Sequence, residues 1–134
     1  MTNSNPRAIP PRRDYRVLKT ELPFIASPHH YLIKHRVRRC GSLWHVHCIH
    51  DYQQARVIGR EYAAHFAQYL KDNPEIVGHN LLGRIATDMN FHDISARRGY
   101  WIGFFSYLEH LIYAQAAQRP VFADLDHFNA SLSA

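Results

Sequence analysis

The sequence predicts an α+β domain: a small antiparallel sheet of two or three strands in the N-terminal half, packed against three C-terminal helices of which the last is central. Three observations carry this expectation. Residues 30–50 alternate apolar and polar side chains with period two, the period changes to about 3.6 from Asp51 onward, and a run near the C terminus is apolar almost all round. The chain of 134 residues, 46% hydrophobic with 17 aromatics, carries enough apolar material for one core.

Residues 1–13 hold three prolines and three arginines without periodicity, which predicts a flexible basic arm ahead of a single domain over 14–134. Residues 15–22 read as a first strand, closed by Pro23. In 30–39, Tyr31, Ile33, His35 and Val37 fall on one face, and Leu32, Lys34, Arg36 and Arg38 on the other. Cys40, Gly41 and Ser42 supply a tight turn, and 43–50 alternates again, with Trp44, Val46 and Cys48 opposite His45, His47 and Ile49. These segments predict a β-hairpin with one buried face and one face of basic residues and imidazoles.

Asp51, with Gln54 three residues on, has the spacing of a helix-opening capping box. Ala55, Ile58, Tyr62, Phe66, Tyr69 and Leu70 then form an apolar stripe that stops at Asn73 and Pro74. A second, shorter helix runs from Glu75 or Asn80 to Met89, with Leu81, Leu82, Ile85 and Met89 inward. Asp93 or Ser95 caps a third, which extends to Gln118 and ends before Pro120. Its length approaches that of a membrane span, but Glu109, His110 and Gln115 interrupt the second half, so it reads as a core helix and no membrane contact is expected. Residues 121–134 are short and mixed, with a turn or helix over 124–129.

The net charge of +5 is unevenly spread. Residues 1–60 carry eleven Lys/Arg against three Asp/Glu, and residues 61–134 five against eight, so an anionic partner is steered toward the N-terminal half. Arginine outnumbers lysine thirteen to three, and its planar fork suits phosphate and carboxylate recognition. Lys34, Arg36, Arg38 and Arg39 form the candidate binding face for a nucleic acid, a nucleoprotein or an acidic protein surface. Tyr100, Trp101 and Phe105 form a candidate aromatic interaction surface, for a homodimer or another partner. Two cysteines cannot build a disulfide framework, and the polar, proline-broken start lacks the apolar stretch of a signal peptide; a cytoplasmic location is expected.

Eleven histidines are the compositional oddity, densest at His45, His47 and His50. On a strand, His45 and His47 share a face and are spaced to share a divalent metal with a third ligand from elsewhere. The histidine–hydrophobic–histidine run within 43–50 resembles the motif of the HUH nucleases, which cut single-stranded DNA. The resemblance implies a metal on His45 and His47 that polarises the scissile phosphate, and a helical tyrosine that attacks it. Tyr62 and Tyr69 are helical but lie on the apolar stripe, where packing accounts for them. Asp88, His92 and Asp93 form a further polar cluster before the third helix. The leading expectation is therefore a binding protein without a cofactor, with the metal-dependent nuclease as the alternative. In size and style the chain resembles accessory proteins of phages and plasmids, such as antirestriction and anti-CRISPR inhibitors.

Overall fold

Asp51 opens the first helix with a side-chain cap, its Oδ1 accepting from the backbone N–H of Gln53 at 2.9 Å and of Gln54 at 3.2 Å. The computed structural model describes residues 22–24 and 42–133. Helix α1 spans Tyr52–Asp72 and buries Ala55, Gly59, Tyr62, Ala63 and Phe66 on one stripe. Asn73 ends it: the side-chain amide donates to the Tyr69 carbonyl at 2.9 Å and the backbone N–H to the same oxygen at 3.0 Å. A 3-10 turn follows at Pro74–Ile76. Gly78 (φ 96°) and Asn80 (φ 63°) then redirect the chain through left-handed backbone, which glycine and asparagine tolerate best. Helix α2 is Leu81–Thr87, α3 is Arg98–Ala116 and α4 is Val121–Ser133.

Helices α1 and α3 pack backbone to backbone. Gly99 and Gly103, one turn apart on α3, lie against α1, where Gly59 lies against α3. A Cβ at Gly99 would sit 2.6 Å from the Tyr52 carbonyl oxygen; at Gly103 it would collide with the Arg56 carbonyl, and at Gly59 with that of Tyr100. Small residues on both faces are what permit so close a crossing.

Around this crossing the aromatic side chains assemble the core. Phe104 is fully buried, with ring centroids of Trp44 at 5.0 Å, Phe105 at 5.4 Å, Phe66 at 6.0 Å and Phe24 at 6.5 Å. Trp44 also meets Tyr62 edge to face at 5.7 Å, which anchors residues 42–50 onto the helix pair. Ile85 and Met89 close the core from α2 and the turn after it.

The expected α+β architecture is corrected. The described residues are 66% helical, with four helices and, among them, no strand and no sheet. The first strand expected over 15–22, apart from Leu22, and the strand over 30–39 with its turn, apart from Ser42, lie outside the described residues. Residues 43–50, expected as the partner strand, carry no regular secondary structure. The Leu43 N–H donates to Asp88 Oδ2 at 2.7 Å instead of to a neighbouring strand. Burial alternates only within 44–47, where Trp44 and Val46 pack on the core while His45 and His47 face solvent; Leu43 is buried beside Trp44, and one-sided docking accounts for this without a sheet. The pattern then breaks, because Cys48 is exposed and Ile49 packs on the core. Helix α3 is central only in its N-terminal half, where Gly99, Tyr100, Gly103 and Phe104 are buried; Ile112 and Tyr113 are exposed. Of the turn or helix expected over 124–129, the structure forms the helix and extends it to Val121–Ser133.

Candidate functional site

Trp44 fixes the path of residues 42–50, and this path creates a cleft of about 200 Å³ against the loop before α3. His45, Asp88, Asn90, Asp93, Arg97 and Trp101 line it together with the Trp44 ring. Two Asx turns hold the loop: Asn90 Oδ1 accepts from the His92 N–H at 3.0 Å, and Asp93 Oδ1 from the Ser95 N–H at 2.7 Å. Ser95 in turn accepts from the Arg97 N–H at 3.2 Å.

Asp93 and Arg97 form an ion pair at 3.5 Å across one turn. Hydrogen bonds from the Ser95 hydroxyl and backbone hold the Asp93 carboxyl below its usual range, with Arg97 and Arg98 adding to the effect. Asp88 is engaged by the Leu43 amide, which ties the cleft floor to the docked segment. Trp101 forms a wall, and its indole N–H is buried without a hydrogen-bond partner among the described residues. The arrangement offers acceptors from Asp88 and Asn90 and a guanidinium held by a carboxylate, chemistry suited to recognising a polar group.

The expected site residues distribute as follows. Lys34, Arg36, Arg38 and Arg39 lie outside the described residues. His45 and His47 are exposed on an irregular segment, not on a strand, and among the described residues no group of three His, Cys, Asp or Glu is placed to hold a metal ion. Tyr100 is buried and stacked on Tyr62 at 5.8 Å, and burial pushes its phenol up from the ordinary value. Trp101 and Phe105 are partly buried on the core, covered by the half-exposed Phe91 at 4.8 Å and 6.4 Å. Of the expected polar cluster, the structure brings Asp88 and Asp93 to the cleft and leaves His92 exposed outside its lining.

Three contributors escaped sequence reasoning: Arg97, Phe91 and the exposed apolar face of the C-terminal helix. On α4, Val121, Phe122, Leu125, Phe128 and Leu132 are 48–78% exposed. The 4-3-4 spacing of Val121, Leu125, Phe128 and Leu132 is the signal that would have found this face. No described helix is long and apolar enough to cross a membrane. No family model matches the chain, and no match is found among curated proteins or solved structures.

Proposed function

We propose that the chain is a small, non-enzymatic cytoplasmic binding protein that docks on a polyanionic partner, a nucleic acid or nucleoprotein or else an acidic protein surface. Lys34, Arg36, Arg38 and Arg39 make the charged contacts. The observation that carries this reading is the partition of charge. Residues 1–41 hold nine Lys/Arg against two Asp/Glu, whereas residues 42–134, which include the four-helix body, hold seven against nine. Excess positive charge on one segment, joined to a weakly acidic remainder, concentrates attraction for an anion there. By resemblance in size and style alone, the chain is placed with inhibitors and accessory proteins of phages and plasmids, of the antirestriction or anti-CRISPR kind.

The test is binding of labelled single- and double-stranded DNA and RNA at low salt, wild type beside the Arg36→Glu/Arg38→Glu double variant. Binding by wild type that is lost in a variant with unchanged helical circular dichroism supports the reading. Equal affinity of the two proteins overturns it.

A further inference from the structure

From α4 and the end of α3 we infer a second site: the surface through which two copies of this chain form an antiparallel, two-fold symmetric dimer. The inference does not depend on the anionic partner. Ile112, Val121, Phe122, Leu125, Phe128 and Leu132 are exposed by 67%, 49%, 78%, 48%, 56% and 68%. At about 150–200 Å² per large side chain, they present roughly 550–700 Å² of apolar surface. A monomer's largest apolar patch is about 300–600 Å². Because about 65% of a homodimer interface is apolar, this face corresponds to about 900 Å² per partner, enough for a stable interface of standard size.

The order of residues along the helix specifies a copy of itself as the occupant. Val121, Leu125, Phe128 and Leu132 are spaced four, three and four, a pattern that reads identically in both directions. Two α4 helices laid antiparallel about an axis between Leu125 and Phe128 set Val121 opposite Leu132 of the copy and Leu125 opposite Phe128. Each apolar residue then meets an apolar residue, twice, as an isologous contact requires.

Charge does not oppose this pairing. Asp124, the charged residue of α4 nearest the seam, is ion-paired with Arg119 at 2.6 Å, while Asp126 lies on the far face by helical spacing. At the α3–α4 junction an open groove of about 420 Å³ is walled by Leu111, Ile112, Ala116 and Val121, with the Arg119–Asp124 ion pair also on its lining.

The experiment is sedimentation across the micromolar range for the full chain, with Leu125→Asp and Phe128→Asp as interface variants and Ile94→Asp as a control at an exposed site elsewhere. The expected result is a wild-type mass that rises with concentration toward twice the chain's 15.7 kDa. Each interface variant should raise the dimer dissociation constant at least about a hundredfold, because every substitution enters the interface twice. Ile94→Asp should leave it unchanged. A wild type that stays monomeric throughout, or a dimer indifferent to Leu125→Asp and Phe128→Asp, overturns the inference. Register is read by disulfide trapping in a Cys40→Ser/Cys48→Ser background. Val121→Cys mixed with Leu132→Cys should cross-link while neither does so alone; self-linking of Val121→Cys would rule out the antiparallel arrangement.

Discussion

Phe104 has aromatic neighbours from α1, from α3 and from the 22–24 and 42–50 segments, so one side chain joins parts of the chain that are distant in sequence. Truncation to alanine leaves a cavity that the close backbone crossing nearby prevents from collapsing. Phe104→Ala is expected to cost about 3–5 kcal/mol, measurable as a lowered urea midpoint. Asp93 works through charge instead. Its folded-state carboxyl is held below the ordinary value, so the ionised form favours folding. Stability from this source is complete above the unfolded carboxylate range, near pH 4, and is lost as pH falls through the lowered folded value. Melting temperatures followed from neutral to acid pH should fall less steeply for Asp93→Asn than for wild type. Identical acid limbs would show that the Ser95 hydrogen bonds give Asp93 no linkage.

At the scale of elements, the α1–α3 crossing rests on residues without side chains. Gly103→Leu would drive its Cβ into the Arg56 carbonyl, which backbone cannot yield without separating the helices. The variant is expected to lose at least about 1–3 kcal/mol in chemical denaturation. Helix α1 was legible in advance because local signals agree: the Asp51 cap, the 3.6-residue stripe and the Asn73-Pro74 stop are all written in adjacent residues. The glycine crossing was not, since Gly59 and Gly103 look like weak points in a helix until a partner backbone is placed against them. The strand over 43–50 was misread for a related reason. Alternation reports that one side is buried, and here helices bury it. Helix α4 was underread because Asp124, Asp126, His127 and Asn129 dilute a seam that only the full length of 121–132 makes visible. In the cleft, Asp88 and Asp93 stood out as a loop cluster, whereas their meeting with His45 and Trp101 depends on tertiary docking that no local pattern records.

At the scale of the whole molecule, a nearly charge-balanced helical body is joined to a strongly basic N-terminal segment, and a dimer through α4 would bring two such segments into one particle. Two linked basic segments raise avidity for a long polyanion without any new contact. The central claim is that this charge binds phosphate or carboxylate groups, and the slope of affinity against salt tests it most directly. For duplex DNA the logarithm of the binding constant falls with the logarithm of salt by about 0.9 for each phosphate neutralised. Anisotropy titrations over a salt series should give a steep slope for wild type, lowered by about 2 or more in Arg36→Glu/Arg38→Glu. A wild type with no measurable affinity for DNA, RNA or a polyanionic competitor such as heparin, even at low salt, would contradict the account. So would a slope unchanged by the double charge reversal.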